Sequence, residues 1–153
     1  MGRLRVLALA LALFWVQVLP VWAVDVNPPL PRGTVRIVGL TTMTVSAEVA
    51  RSLPEKVRGL SGRPPLKTGQ GMLFVYDRPQ VIGIWMKDMK FPLDILWFHE
   101  GRIVKIEKNA PPLKPEGPER VYTAVGDMVL EVSAGFADRN KVREGDPVLV
   151  NLP

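Results

Sequence analysis

The stretch that decides the fold is residues 58–94, which read RGLSGRPPLKTGQGMLFVYDRPQVIGIWMKDMKFPLD. Two apolar segments, 72–76 and 81–86, are bounded by Gly, Pro and charged residues, which predicts two strands. The Gly- and Pro-rich segment 63–71 before them predicts an irregular loop. This loop lacks the Gly-Lys-Ser/Thr ending of a phosphate-binding loop, and a strand rather than a helix follows it. The stretch therefore predicts β structure joined by loops and not a nucleotide-binding unit.

Strand patterns continue on both sides of this stretch. Residues 43–50 alternate between apolar and polar, which predicts a half-buried strand with Glu48 and Ala50 on its wet face. Residues 93–98 are apolar on both faces except at Asp94, which predicts a central strand covered on both sides. Further strands are predicted at residues 34–40, 102–108, 128–133 and 147–152.

A short helix is predicted to begin after Ser52. The Ser52 hydroxyl and the Glu55 carboxylate have the spacing of a capping box. Leu53, Val57 and Leu60 form one apolar stripe, which predicts packing of the helix against the sheet. A second helical turn is predicted within residues 138–145. Short strands, Gly/Pro turns and one clear helix predict an α+β fold with a mostly antiparallel, rolled or barrel-like β core.

Several short motifs in this stretch occur in a fixed order, namely Arg-Gly-Leu at 58–60, Gly-Met-Leu-Phe at 71–74, Trp-Met-Lys at 85–87 and Pro-Leu-Asp at 92–94. A weaker continuation follows at residues 130–131 and 145–146. In these motifs the chain resembles the family known as domain of unknown function 192. The resemblance implies a single domain with the fold class above. It implies no activity, because that family has none established.

The first 23 residues have the three-part pattern of a secretory signal: a basic start at residues 1–5, an apolar run at 6–19, and a small residue at Ala23. Residues 24–33 are rich in proline and predict an extended tether. A single domain is expected at residues 34–153. The expected location is periplasmic or secreted, with membrane contact only through an uncleaved leader.

The composition limits the classes of partner. The formal net charge is +5, and Lys and Arg alternate with acidic residues, as in Lys105-Ile106-Glu107-Lys108. A nucleic-acid binder usually clusters its basic residues, so no nucleic-acid partner is expected. The chain contains no Cys. Without disulfides, the fold must depend on its own hydrophobic core.

Most catalytic and metal-binding arrangements find little support in the sequence. The single His, His99, lies beside a hairpin turn, and no Ser lies in a nucleophile elbow. No ligand pair has the spacing typical of zinc or calcium sites. Met86 and Met89 offer two thioethers, which suit Cu(I), so a copper site is a minor alternative. No other cofactor is expected.

The segment around Trp85 combines residue types typical of a binding site. Trp85 offers a flat wall, Lys87 a cation and Asp94 an anion, and an apolar wall with a few charges describes a ligand site. Asp94 and Glu131 each stand on an otherwise apolar strand face, where a carboxylate needs a partner. Each of the two carboxylates can pair with Arg58 or Lys87 or accept backbone N–H groups, and for Asp94 we expect a cation, Arg58 or Lys87, as the partner. The candidate binding residues are therefore Arg58, Trp85, Met86, Lys87, Asp94 and Glu131.

Two functions follow from these residues. The first is a non-catalytic, exported module that binds a small molecule or a protein of the cell envelope. The alternative is an envelope enzyme that uses Asp94 and Glu131, with Arg58 or Lys87, on a small polar or saccharide substrate. The separation of the two carboxylates discriminates between them, because a glycosidase needs both in one cleft.

Overall fold

A computed structural model of the chain describes residues 27–114, 116 and 120–153. The predicted signal segment therefore lies outside the described residues. Within the described part, no helix is long and apolar enough to cross a membrane. The elements are, in order, β1 (Arg32–Val38), β2 (Thr42–Ala50), α1 (Leu53–Arg58), β3 (Gln70–Trp85), β4 (Leu93–His99), β5 (Arg102–Ala110), β6 (Val121–Ser133), α2 (Phe136–Arg139) and β7 (Val148–Asn151).

The strands form one curled sheet in the order β5-β4-β6-β3-β2-β1-β7. Strands β2 and β3 pair in parallel, and the other pairs of this sheet are antiparallel. The two ends of the sheet approach each other at a bridge between Arg102 and Pro147. There, Val148 N–H donates to the Gly101 carbonyl at 2.7 Å. The expected α+β fold with a rolled, mostly antiparallel β core and one or two short helices is thus confirmed. The second helix lies at Phe136–Arg139, so it overlaps the predicted turn at 138–145 only in part.

Strand β4 is buried on both faces, as its sequence predicts, but it lies second in the strand order, between β5 and β6, and not at the centre. Leu96 and Phe98 pack into a core to which all seven strands and α2 contribute. Ile95 and Trp97 pack into a second core on the opposite face. That second core is closed by the distal parts of β3 and β6, which fold back over the sheet. The Trp97 indole N–H donates to the Ile82 carbonyl at 3.1 Å and fixes this fold-back.

Two strands are longer than the sequence pattern predicts. The predicted strands 72–76 and 81–86 are one strand, β3, with an irregularity in its pairing to β6 between Val75 and Gln80. Strand β6 begins at Val121, seven residues before the predicted start. The predicted tether at 24–33 is also shorter than expected. Arg32 and Gly33 already belong to β1, and the Pro31 carbonyl accepts from Val49 N–H at 2.9 Å.

Helix α1 has the predicted cap but not the predicted buried stripe. The Ser52 hydroxyl accepts from Glu55 N–H at 3.4 Å, and the Glu55 carboxylate accepts from Ser52 N–H at 2.8 Å. Leu53 and Val57 are 73% and 53% exposed, so the predicted packing of this stripe is wrong for both. Only Leu60, beyond the end of the helix, is buried. The helix therefore lies over the edge of the second core rather than on it.

The predicted wet face of β2 is wrong at its end. Ala50 is buried, and Glu48 is a buried carboxylate. Glu48 accepts from Arg63 at 2.7 Å, from Arg32 at 3.2 Å and from Leu30 N–H at 2.9 Å. The loop after α1 covers this end of the strand, which a two-residue alternation cannot reveal.

Candidate functional site

Three of the predicted site residues meet around one cavity. Arg58, Trp85 and Glu131 line a cavity of about 50 Å³ between α1, the loop that follows it, β3 and β6. We call it the Glu131 cavity. Its walls also include Phe74 and Tyr76, which come from β3. A volume of this size has room for a few waters or a small polar group, because one water needs about 10–15 Å³ of such cavity space.

Glu131 brings a carboxyl group into this cavity from near the C-terminal end of β6. Its strand neighbours are Met72 on β3 and Ile95 on β4, both apolar and fully buried. No described residue donates a hydrogen bond to its carboxyl group or forms an ion pair with it. Burial raises the pKa of Glu131 to about 8. The group is therefore mostly uncharged at neutral pH, and it offers one O–H donor and acceptor oxygens.

Cations lie at the rim of the cavity. The Lys56 ammonium lies 4.1 Å from the centre of the Tyr76 ring. The Arg58 side chain is exposed, and its guanidinium forms no ion pair or hydrogen bond with the rest of the described chain. The pKa of Tyr76 is raised by burial and, to a smaller extent, by the nearby charge of Glu131. At neutral pH the cavity thus has an uncharged polar floor and a positive rim.

Trp85 forms one wall and is 48% exposed. On its other side lies a shallow recess that Lys87 and Arg120 line. Lys87 thus belongs to this second recess and does not line the Glu131 cavity. Trp85 is a lining residue of both recesses. Phe74, Tyr76 and Lys56 were not among the predicted site residues, because their place in the cavity depends on how α1 lies over β3.

Asp94 does not belong to the cavity, and its predicted cation partner is wrong. Its carboxylate is fully buried and accepts three backbone N–H groups: Asn109 at 2.9 Å, Gly135 at 3.1 Å and Ala137 at 2.8 Å. Neither Arg58 nor Lys87 bonds to it. Asp94 instead ties the end of β5 to the start of α2, and backbone donors satisfy a buried carboxylate as well as a cation does.

Asp94 and Glu131 also lie on opposite faces of the sheet. In the antiparallel pairing of β4 with β6, Asp94 lies opposite Val132, and Ile95 lies opposite Glu131. Cross-strand partners share a face, and adjacent residues on a strand point to opposite faces. The two carboxylates that the enzyme alternative requires in one cleft are therefore separated by the sheet itself.

The two methionines of the copper alternative have different surroundings. Met86 is fully buried and packs in the second core. Met89 is partly buried and lines the Glu131 cavity. Among the described residues, no group of three or more His, Cys, Asp or Glu side chains is placed to hold a metal ion. Cu(I) binding by Met86 and Met89 stays a prediction.

A larger recess, of about 410 Å³, lies beside Arg63 and Glu48. The guanidinium of Arg63 donates to Glu48, to Asn27 at 2.8 Å and to the Pro28 carbonyl at 3.0 Å. These groups bond to one another and attach the N-terminal residues to the domain. Glu131 differs from them because its carboxyl group has no such partner, and for this reason we regard the Glu131 cavity as the candidate site.

Comparison with known proteins gives the family and the fold. The model of the family described as Uncharacterized ACR, domain of unknown function 192, matches residues 35–150. A solved structure from Novosphingobium aromaticivorans, a protein of unknown function, is 30% identical, with a TM-score of 0.70 over 76% of this chain and 83% of that chain. A second, from Sinorhizobium meliloti, is described as a candidate transcription regulator. It is 26% identical, with a TM-score of 0.74 over 80% of this chain and 96% of that chain. No curated protein matches the chain.

Proposed function

We propose that this chain, which belongs to the domain of unknown function 192 family, is a non-catalytic module that binds a small polar molecule in the Glu131 cavity. The observation that carries the proposal is the carboxyl group of Glu131, which is 5% exposed and unpartnered among the described residues. The carboxyl group opens onto the cavity, where a ligand can form the hydrogen bonds that no described protein group makes with it. Aromatic walls and a few convergent polar groups are typical of small-molecule sites.

The placement of Asp94 favours binding over the carboxylate-dependent enzyme. The enzyme alternative needs a second carboxylate beside Glu131, and Asp94 lies on the other face of the sheet with three backbone donors. In the present chain, Lys and Arg residues alternate with acidic ones along the sequence instead of forming the basic tract that is typical of nucleic-acid binders. We therefore do not propose a role in transcription, which is the description of the S. meliloti protein.

We further propose that the module acts outside the cytoplasm, in the periplasm or after secretion. The support is the basic start, the apolar run and Ala23 within residues 1–23. Expression of the full chain in a bacterial host, followed by N-terminal sequencing of the exported fraction, tests this part. We expect a chain that begins at Val24. A chain that still begins at Met1 and sediments with membranes would contradict export with cleavage.

Ligand binding is tested by thermal unfolding in the presence of a library of small polar metabolites. We expect a hit to raise the melting temperature of the parent protein and to quench Trp85 fluorescence. Glu131→Leu keeps the bulk of the side chain and removes its polar group, so it should abolish the shift. The control is Glu100→Gln, which changes an exposed carboxylate away from the cavity. A hit that stabilises Glu131→Leu as strongly as the parent binds elsewhere.

A further inference from the structure

The charges around the Glu131 cavity narrow the class of ligand. Tyr76 of β3 and Lys56 and Arg58 of α1 are the titratable side chains that line it with Glu131. The residues that flank Glu131 on β3 and β4, Met72 and Ile95, are apolar. An entering molecule therefore meets two cations at the rim and an uncharged carboxyl group at the floor.

We propose that the ligand is a short organic acid that bears a hydroxyl or carbonyl group. Its carboxylate meets Arg58 at the rim, and its neutral polar end bonds to the carboxyl group of Glu131. This inference rests on the proposed binding function and gives it a chemical class. A guanidinium donates two parallel hydrogen bonds to a carboxylate. The Arg58 guanidinium forms no hydrogen bond or close ion pair in the described chain, and its charge acts only at longer range on Glu55 of the same helix.

An organic cation fits the cavity less well. The ammonium of Lys56 already lies over the face of Tyr76, where a cationic ligand would bind. Arg58 and Lys56 would repel a second cation at the rim. An ammonium ligand would also gain no ion pair from Glu131, because burial disfavours the charged form of this carboxyl group. A short acid needs none of these changes.

The protonation state of the Glu131 carboxyl group should make ligand binding depend on pH. The pKa of Glu131 is about 8, so a rise in pH through 8 places a negative charge beneath the bound acid. Repulsion should then weaken binding. Glu131→Gln keeps one donor and one acceptor but has no charge to gain, so its affinity should stay constant over the same range.

Three probes of matched size test the class: glycolate, glycolamide and ethanolamine. Their affinities for the full chain are measured by NMR titration of the cavity resonances at pH 6.5 and 9.5. We expect glycolate to bind at least about tenfold more tightly than ethanolamine at pH 6.5. At pH 9.5 its affinity should fall about tenfold in the parent and stay within about twofold in Glu131→Gln. Arg58→Gln should lower the affinity for glycolate and leave the affinity for glycolamide unchanged.

The outcomes separate the ligand class from the proposed function. Tighter binding of ethanolamine than of glycolate overturns the organic-acid class and leaves small-molecule binding in place. If Arg58→Gln lowers the affinities for glycolate and glycolamide equally, Arg58 is not the partner of the ligand carboxylate. If none of the three probes shifts a cavity resonance, at concentrations up to about 100 mM, the binding function itself fails. Glu100→Gln serves as the control variant throughout.

Discussion

Among the described residues, three carboxylates are buried, and each has different surroundings. Asp94 accepts three backbone N–H groups, Glu48 binds two arginines, and Glu131 has no partner in the described chain. The first two are satisfied and hold the fold together. Only the third has unused hydrogen-bonding capacity, and it is the one that lines a cavity with aromatic walls.

Asp94→Ala should lower the free energy of unfolding by about 3 kcal/mol, because one buried and two partly buried N–H groups lose their acceptor. Asp94→Asn should cost less. Its amide oxygen can keep the two donors that Oδ1 accepts, while its NH₂ group would face the N–H of Ala137. Urea denaturation of the two variants measures both effects.

The control for Asp94 is the pair of variants Arg58→Ala and Lys87→Ala. Neither side chain bonds to Asp94, so each variant should stay within about 0.5 kcal/mol of the parent. A loss in Arg58→Ala as large as that in Asp94→Ala would restore the ion pair predicted from the sequence and contradict the amide-bonded arrangement.

The raised pKa of Glu131 should make the stability of the domain depend on pH. The folded-state pKa is about 8 and the ordinary value is 4.5, so between these values the folded state holds a proton that the unfolded state releases. The stabilising contribution is complete below 4.5 and is lost as pH rises through 8. The slope is about −1.4 kcal/mol per pH unit within that window.

Glu131→Gln isolates this contribution because Gln does not titrate. Between pH 5 and pH 9, the parent should lose on the order of 4 kcal/mol of unfolding free energy relative to Glu131→Gln. Urea denaturation at several pH values gives the two curves. Curves that remain parallel would show that Glu131 has an ordinary pKa in the folded protein.

At the scale of elements, α1 positions the cationic side of the cavity. The helix has six residues, begins at the capping box and ends at Gly59, whose φ of 48° favours glycine. It carries Lys56 and Arg58 and buries none of its own residues. A helix this short is not stable by itself, so its caps and its attachment to the loop that follows decide its position.

Ser52→Ala should destabilise the protein by about 1 kcal/mol, because the Glu55 amide loses its acceptor. Ser52→Asn is the matched control, since Asn caps helices as well as Ser does. Chemical denaturation of both variants measures the difference. If Ser52→Ala matches the parent, the Glu55 carboxylate, which accepts from Arg51 and Ser52 at 2.8 Å, holds the helix start alone.

At the scale of the whole molecule, two features join distant parts of the chain. The contact of β5 with the segment before β7 closes the curl of the sheet. Glu48 joins the residues before β1, strand β1 itself and the loop after α1 through Leu30, Arg32 and Arg63. Both features depend on contacts between residues far apart in sequence, and neither has a local sequence signature.

Glu48→Ala should cost about 3–5 kcal/mol, because it leaves the Arg63 guanidinium, 14% exposed, without its carboxylate. The comparison is Asp138→Ala, which removes the exposed pair with Lys108. That pair is short, at 2.6 Å, but solvent screens it, so its loss should cost less than about 1 kcal/mol. Denaturation midpoints of the two variants measure these losses of stability. Equal losses in Glu48→Ala and Asp138→Ala would contradict the view that burial controls the strength of these ion pairs.

The sequence alone determined the family, the fold class and the elements whose signals are local. The two-sided apolar pattern of β4 and the cap of α1 depend on neighbours a few residues apart, so sequence spacing reveals them. It also singled out Trp85 and Glu131, because a carboxylate on an apolar strand and a Trp beside charges are unusual residue by residue. It named Arg58 as the partner of Asp94, a pairing that the structure does not contain.

Only the tertiary structure decided which of these residues meet. The fold-back of β3 and β6 and the position of α1 bring Tyr76 and Lys56 to Glu131, and these contacts join residues about 55–75 positions apart in the chain. In the register of β4 with β6, Ile95 and not Asp94 lies opposite Glu131, so Asp94 points to the opposite face of the sheet from Glu131. A shift of one residue in that register would reverse the face, and sequence spacing within one strand does not contain this information.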